Sequence, residues 1–174
     1  MAHTQQQNYC TSIKNKFPEK FKNVSVLDVG SLDINGNNRY LFDGDCEFIG
    51  VDIVDGPNVD VVCRGHEYKR EKPFDVAVST ECFEHDEYWK ESFQNMFNLL
   101  KPGGVLLFTC GTTNRGPHGT HECRPEDSPL TNDYYGNRVA EDYIEAFKLD
   151  EMFSEYQFDY DWHVSDLYFY GIKK

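Results

Sequence analysis

The sequence has no long apolar run. Its apolar stretches are only a few residues long, far short of the roughly 18 that a membrane-spanning helix needs. It is also poor in basic residues, with 17 Lys and Arg against 30 Asp and Glu among 174 residues and a formal net charge of −13. Because nucleic-acid phosphates are bound largely through Lys and Arg, we expect a globular protein with neither a membrane nor a nucleic-acid partner.

Paired cysteines of the Cys-x-x-Cys type are absent, and so is the basic and then apolar start that marks a secretory leader. The six cysteines occur singly, and several lie inside apolar, strand-like runs, where a free thiol behaves as a small hydrophobic group. We therefore predict reduced cysteines and a cytoplasmic location.

Short apolar runs alternate with amphipathic stretches along the chain. The runs that predict buried strands are residues 24–30, 48–53, 59–63, 74–79 and 105–110. Helical spacing occurs over residues 8–22, 88–100 and 139–152, and Lys101-Pro102-Gly103-Gly104 predicts a stop and a tight turn. Two last strand-like runs, 156–160 and 167–172, are too close for a helical crossover and predict an antiparallel hairpin. The alternation predicts an α/β fold with a mostly parallel sheet, covered on both faces.

Ligands of an open parallel sheet bind beyond the carboxyl ends of its strands. Gly30 follows the first predicted strand, and Asp52 ends the second one about 22 residues later. A glycine lets the backbone approach a ligand closely, and an acidic residue at this spacing can accept hydrogen bonds from both ribose hydroxyls. This pair favours a nucleoside-containing cofactor and leaves its kind open.

The loop after the first strand separates two kinds of cofactor. Residues 30–36 lack the Gly-x-Gly-x-x-Gly that cradles a pyrophosphate at a helix N-terminus. Asp28 and Asp33 add negative charge, whose repulsion of a phosphate at about 4 Å runs from roughly 1 kcal/mol in water to several kcal/mol in a partly buried site. The cationic sulfonium of S-adenosylmethionine is favoured instead. An NAD-dependent oxidoreductase is the less favoured alternative.

Four motifs in order resemble those of the class I S-adenosylmethionine-dependent methyltransferases, most closely the methyltransferase type 11 branch. They are Val26-Leu27-Asp28-Val29-Gly30-Ser31, Gly50-Val51-Asp52, residues 74–85 with their terminal Glu84-His85, and Leu99-Leu100-Lys101-Pro102-Gly103-Gly104. The motifs cover about residues 24–110, half of the chain. The resemblance implies one Rossmann-like methyltransferase domain over residues 1–174. It implies seven strands in the order 3-2-1-4-5-7-6, helices on both faces and a C-terminal antiparallel hairpin.

The same resemblance implies which residues bind the cofactor. The methionine portion is expected at Asp28, Gly30 and Ser31, and the ribose at Asp52. The adenine is expected at Ile53 and at the backbone of Gly65 and His66, and the methionine end at the backbone carbonyls of Ser79, Thr80 and Glu81. Glu84 and His85 are predicted to open a helix, where an acidic residue is favourable for capping and for the helix dipole, so a structural role is expected for them.

Residues 111–136 form a long segment rich in Gly, Pro, Thr, Asn and Asp, and they predict a loop on the substrate side. His118 and His121 are its candidate catalytic residues, one of them as a general base, and Tyr134 and Tyr135 are candidates to close over the acceptor. The spacing of these histidines with Cys123 fits no closed zinc pattern, so no metal is expected.

Together these features predict methyl transfer from S-adenosylmethionine to an acceptor by in-line displacement, with S-adenosylhomocysteine as the product. The Asn/Asp-Pro-Pro-Tyr motif of amino-directed nucleic-acid methyltransferases is absent after the fourth strand, where residues 79–82 read Ser-Thr-Glu-Cys. Together with the acidic charge, this favours a small-molecule acceptor, with a protein acceptor as the second alternative. A non-catalytic cofactor-binding or scaffold module on the same fold is the alternative. The cleft is expected to be open or to be completed by a second copy of the chain in a homodimer.

Overall fold

A computed structural model describes residues 3–131 and 133–174. Residues 1 and 2 of the predicted domain, and residue 132 within the predicted 111–136 loop, lie outside the described residues. The strands are β1 Ser25–Val29, β2 Glu47–Asp52, β3 Val61–Val62, β4 Phe74–Thr80, β5 Leu100–Gly111, β6 Phe153–Asp161 and β7 Asp166–Lys173. The helices are α1 Thr4–Lys16, α2 Trp89–Asn98, α3 Ala140–Ala146 and α4 Leu149–Met152, with short 3₁₀ turns at Pro18–Phe21, Asn38–Leu41 and Pro125–Asp127.

The strands form one sheet in the order β3-β2-β1-β4-β5-β7-β6, as predicted. The first five strands are mutually parallel, whereas β7 lies antiparallel to both β5 and β6. Strand β1 pairs with β2 on one side and with β4 on the other, so the strand order reverses at β1. Its carboxyl end is therefore the switch point at which a sheet of this kind binds ligands.

Helices cover both faces of the sheet, because successive strand residues point to opposite sides and both sets are apolar. Val26 and Val78 pack in one cluster with Ile13 of α1. Leu27, the neighbour of Val26 in the chain, packs in the other cluster with Phe93 of α2. This burial on both faces is the reason why the strands read as continuous apolar runs.

Several predicted boundaries are wrong. Helix α1 ends before Pro18, which lacks the N–H that would continue it, so the predicted 8–22 helix is shifted and shortened. The predicted turn at 101–104 lies inside β5, which begins at Leu100 opposite Phe74. The predicted 139–152 helix is split, because Phe147 adopts extended backbone and packs its ring 4.7 Å from that of Phe93. None of the described helices has the length and apolar character needed to cross a bilayer.

Candidate functional site

A cavity lies beyond the carboxyl ends of β1, β2 and β4, with an empty volume of about 1060 Å³ that includes open solvent. Eight of the ten predicted cofactor-binding residues line it: Asp28, Gly30, Ser31, Asp52, Ile53, Gly65, Thr80 and Glu81. The structure thus brings together residues from four separate strand ends, as the parallel topology requires.

The two other predicted cofactor residues, Ser79 and His66, are not among the residues that line the cavity. The buried Ser79 hydroxyl donates to the Val29 carbonyl at 2.8 Å and ties β4 to β1. The His66 ring packs 4.6 Å from the Tyr88 ring, in a shallow surface depression beside α2. Both side chains serve packing between elements in this structure.

Gly30 makes the turn out of β1, and only glycine fits there. Its φ of 76° lies in the left-handed region, and a Cβ added to it would lie 2.5 Å from Sγ of Cys82. The amides of Gly30 and Ser31 both donate to the Val51 carbonyl, at 2.9 and 3.2 Å. The turn is thus hydrogen-bonded to β2 and lies close to Cys82, the second residue after β4.

Asp52 holds two loops at the rim of the cavity. Its Oδ2 accepts the Leu32 amide and its Oδ1 accepts the Val54 amide, each at 3.0 Å. An ionised carboxylate has about four acceptor sites, so each oxygen keeps one for a ligand hydroxyl. Burial raises the pKa of Asp52, and the backbone hydrogen bonds oppose that rise.

Asp28 is fully buried at the base of the cavity, where its Oδ1 accepts the Asn38 side-chain amide at 3.0 Å. Its Oδ2 and the Ser31 hydroxyl have no hydrogen-bond partner within the residues the structure describes. Burial raises the pKa of Asp28 to about 7, so this carboxyl is only partly charged at neutral pH. These two orphaned polar atoms are available to a ligand.

Of the two acidic residues predicted to add negative charge near the first loop, Asp28 lines the cavity and Asp33 does not. Asp33 does not line the cavity, because its carboxylate closes its own loop by accepting the Gly36 amide and the Asn37 side chain, both at 2.7 Å. Six acidic residues and one arginine are found among the described lining residues: Asp28, Asp52, Glu81, Asp86, Glu87, Asp127 and Arg64. This balance attracts a cation and repels a diphosphate, which was the predicted preference.

Glu81 follows β4 in the left-handed region, with a φ of 52°, and its carboxyl is buried. Its Oε1 accepts the Thr109 hydroxyl at 2.8 Å, and its Oε2 lies 3.6 Å from the Arg115 guanidinium and 3.8 Å from His3. Arg115 and His3 also pair with Asp166, at 2.9 and 2.8 Å. Sequence patterns did not reveal this ionic cluster, whose members are far apart in the chain.

The predicted catalytic histidines have different environments. His118 is buried and does not line the cavity, but its Nε2 lies 3.3 Å from Nε2 of His85, which does. The His121 side chain is 87% exposed and pairs with Asp133 at 3.3 Å, so the structure does not bring it to the cavity.

The predicted acceptor residues Tyr134 and Tyr135 also lie outside the cavity lining. The Tyr135 ring packs 5.3 Å from the His85 ring and 5.0 Å from the His118 ring, and the Tyr134 hydroxyl accepts a hydrogen bond from Arg138. From the predicted loop, the residues that do reach the cavity are Asp127, Ser128, Pro129 and Thr131. No periodic signal in the sequence distinguishes that short stretch from its neighbours.

Glu84 and His85 do not open a helix, contrary to the prediction, because α2 begins only at Trp89. They lie in the turn after β4, where Oε1 of Glu84 accepts the Gly111 amide at 3.0 Å. Burial, reinforced by His118, lowers the pKa of His85 to about 3, so its imidazole is neutral. His85 is thus one of the residues that line the cavity. In the sequence, only its position in the fourth-strand motif pointed to it.

Comparisons with known proteins agree with this arrangement. A family model described as a methyltransferase domain, Methyltransf_23, matches residues 1–161. No curated protein sequence matches the chain. The family match confirms the predicted class, although the model that matches is not that of the type 11 branch that the motifs resemble most.

Solved structures with the same fold are distant in sequence. The 1,6-didemethyltoxoflavin-N1-methyltransferase of Burkholderia thailandensis, with bound 1,6-didemethyltoxoflavin and S-adenosylhomocysteine, has a TM-score of 0.67 at 16% identity over 97% of this chain and 78% of that one. The N-methyltransferase NodS of Bradyrhizobium japonicum WM9, in complex with S-adenosylhomocysteine, has a TM-score of 0.63 at 15% identity over 96% and 86%. Phosphoethanolamine N-methyltransferase 2 of Haemonchus contortus, in complex with phosphomonomethylethanolamine and S-adenosylhomocysteine, has a TM-score of 0.63 at 18% identity over 96% and 52%. With the family match over most of its length and this fold, the chain belongs to the class I S-adenosylmethionine-dependent methyltransferases.

Proposed function

We propose that this protein transfers a methyl group from S-adenosylmethionine to a small-molecule acceptor, by in-line displacement and with release of S-adenosylhomocysteine. The observation that supports the proposal best is the acidic cavity at the switch point, lined by eight residues that the family resemblance implies as cofactor contacts. The neighbouring methyltransferase structures that contain S-adenosylmethionine or S-adenosylhomocysteine share this fold and support the same cofactor.

The residues present fit such a cofactor. S-adenosylmethionine supplies, when bound, a methyl carbon on a cationic sulfur. The orphaned Oδ2 of Asp28 and hydroxyl of Ser31 would accept hydrogen bonds from its ammonium group, and the two free acceptor sites of Asp52 would bind the ribose hydroxyls. Ile53 and the backbone of Gly65 form the wall on the adenine side. His66 and Ser79 are left out of this assignment because neither residue lines the cavity.

The acceptor would lie at the opposite end of the cavity, between His85 and residues 127–131. His85 lines the cavity and its imidazole is neutral, so its ring can form a hydrogen bond with an acceptor that lies there. His118 becomes a positioning residue that acts through His85, and His121 has no role in this proposal. Alignment and exclusion of water are the main contributions that the chain makes to such a displacement.

A small-molecule acceptor is supported by the size of the cavity and by its charge. The toxoflavin-type and phosphoethanolamine enzymes with this fold were crystallised with small-molecule ligands beside the demethylated cofactor. The acidic lining favours a neutral or cationic acceptor over an anionic one. The homodimer remains a prediction.

Calorimetric titration with S-adenosylhomocysteine and, separately, with NADH tests the cofactor assignment. We expect binding of the former and none of the latter. Incubation with labelled S-adenosylmethionine and a metabolite extract then tests the transfer, with mass spectrometry for a product heavier by one methylene. Binding of NADH alone would contradict the cofactor assignment. Binding of S-adenosylhomocysteine with no methylated product in any extract would favour the scaffold module over the enzyme.

A further inference from the structure

Three potential metal ligands meet beside the acceptor end of the cavity. Glu84, His85 and His118 are all buried, and one ligand atom from each lies within 4.8 Å of the other two. Two of them come from the turn after β4, and the third comes from the 111–136 segment, more than 30 residues later in the chain. Such a convergence of two imidazoles and a carboxylate in a buried place is unusual without a function, because each group loses its hydration.

The orientation of His118 aims its Nε2 at the His85 ring, where a metal ion would replace the contact between the two Nε2 atoms. Its Nδ1 lies 3.1 Å from the Gly116 carbonyl, which can only accept, so in the neutral imidazole Nδ1 carries the proton and Nε2 the lone pair. Histidines that bind metals commonly donate their second ring N–H to a carbonyl in this way, which sets the tautomer and the ring orientation. Nε2 of His118 points at Nε2 of His85.

The distance between the two Nε2 atoms, 3.3 Å, is the one that a shared metal requires. With metal–nitrogen bonds of about 2.0–2.1 Å and a tetrahedral angle, two ligand nitrogens lie about 3.3–3.4 Å apart. A metal ion therefore needs little change in the separation of these rings. The same 3.3 Å is long for a hydrogen bond between two ring nitrogens, which is the arrangement that a metal-free pair would adopt.

Glu84 is the third potential ligand. Its Oε1 is held by the Gly111 amide, whereas its Oε2 is buried and has no hydrogen-bond partner among the residues described here. Two histidines and one carboxylate, with a further position left for a water or a substrate, form a common metal site in enzymes.

Gly119 lets the His118 loop approach this closely. Its φ of 65° is in the left-handed region, and a Cβ added there would lie 3.0 Å from Cε1 of His85 and closer still to Ser128. The Tyr135 ring closes the other side of both histidines. The ligands are thus held by a packed shell.

We propose that Glu84, His85 and His118 bind one divalent transition-metal ion at the acceptor end of the cavity. Zn²⁺ is the ion used below to test this. Since His85 lines the cavity, a remaining coordination position of the ion can be reached from there. Two imidazole ligands favour Zn²⁺, Co²⁺ or Fe²⁺ over Mg²⁺, which prefers oxygen ligands. The proposal goes beyond methyl transfer and does not depend on it.

His3, Glu81 and Asp166 form a second cluster of this kind, but we do not expect it to bind a metal ion. The Arg115 guanidinium already lies 2.9 Å from Asp166 and 3.6 Å from Glu81. A metal ion placed there would be repelled by a fixed positive charge. In the first cluster, no ion pair is formed by Glu84 within residues 3–131 and 133–174, and its Oε2 has no hydrogen-bond partner there.

The test uses the full chain, stripped with a chelator and titrated with Zn²⁺ in competition with a chromophoric chelator. We expect one tight site per chain. His118→Ala should weaken it at least about 100-fold and Glu84→Gln at least about tenfold, whereas His121→Ala, an exposed histidine from the same segment, should leave it unchanged within about twofold. Excess Mg²⁺ should not displace the Zn²⁺.

Circular dichroism shows whether His118→Ala folds. If it does not, the absorption spectrum of the Co²⁺-loaded unaltered chain provides a second test. Co²⁺ added to the unaltered chain should give the visible absorption bands of a tetrahedral site without the sulfur-to-cobalt charge-transfer bands that cysteine ligands produce. Absence of a Zn²⁺ site, charge-transfer bands from cysteine, or loss of the site in His121→Ala would each overturn the proposal. A failure of S-adenosylhomocysteine binding would leave these readouts unaffected, so the two proposals fail separately.

Discussion

Replacing Asp52 with alanine separates the proposed ribose contact from the structural contacts of the same side chain. The carboxylate accepts two loop amides at 3.0 Å and keeps one acceptor site on each oxygen. A hydrogen bond to a charged group contributes about 1.5–3 kcal/mol, and about 1.4 kcal/mol corresponds to a tenfold change in affinity. Loss of the two ribose contacts should therefore weaken S-adenosylhomocysteine binding at least about tenfold.

The same substitution leaves the Leu32 and Val54 amides without their acceptor, so the free energy of unfolding should fall by about 1–3 kcal/mol as well. Asp75→Ala provides the matched control. Asp75 accepts the amide and the hydroxyl of Ser25, both at 2.8 Å, but it lies at the opposite end of the sheet from the cavity. Asp75→Ala should lower the free energy of unfolding by a comparable amount and leave the affinity for S-adenosylhomocysteine within about twofold of the unaltered value.

Calorimetry with S-adenosylhomocysteine and urea unfolding without ligand measure the two effects independently. Unchanged affinity in a folded Asp52→Ala protein would refute the ribose assignment. If Asp75→Ala weakened S-adenosylhomocysteine binding equally, the loss would reflect general destabilisation. That result would also refute the ribose assignment.

Two further substitutions test the base of the cavity. Gly30→Ala should lower the free energy of unfolding by about 1–3 kcal/mol, because Gly30 has a positive φ and an added Cβ would clash with Cys82. Gly116→Ala is the control and should change the free energy of unfolding little, because its added Cβ meets no atom within 4 Å. Urea unfolding of both variants measures the difference. Asp28→Asn tests the raised pKa. Burial puts the folded pKa at about 7, above the unfolded value of 3.8, so the unaltered protein loses stability as the pH rises from about 4 to about 7 and no further above it. The stability of Asp28→Asn relative to the unaltered chain should therefore increase between about pH 4 and about pH 7, and a difference that is flat over that range would contradict the burial of a titrating carboxyl there.

Most of the fold could be predicted because the strands are buried on both faces. An apolar run such as 74–79 has few other structures open to it, and the short link before β7 permits only a hairpin. Boundaries were predicted less well. Phe147 stops α3 for a tertiary reason, since its ring packs on Phe93, and no local pattern contains that information.

The cofactor half of the site was predictable for the same reason as the fold. Once the strands are parallel and their order is known, Gly30 and Asp52 must meet at one edge of the sheet. The position of a residue at a strand end does not reveal whether its side chain faces the cavity or bonds the backbone of a neighbouring strand. Ser79 and Thr80 are neighbours, yet the first bonds the β1 backbone and the second lines the cavity.

The acceptor half depends on irregular segments, whose course no periodicity describes. Glu84 and His85 precede α2 by several residues, and the histidine that meets them lies beyond β5, brought close by the left-handed turn at Gly119. Of the two tyrosines predicted to close over the acceptor, Tyr135 instead packs against His85 and His118 from outside the cavity, and Tyr134 bonds Arg138. Substitutions that change the acceptor preference should therefore be found at His85 and at the loop positions that line the cavity, which are Asp127, Ser128, Pro129 and Thr131.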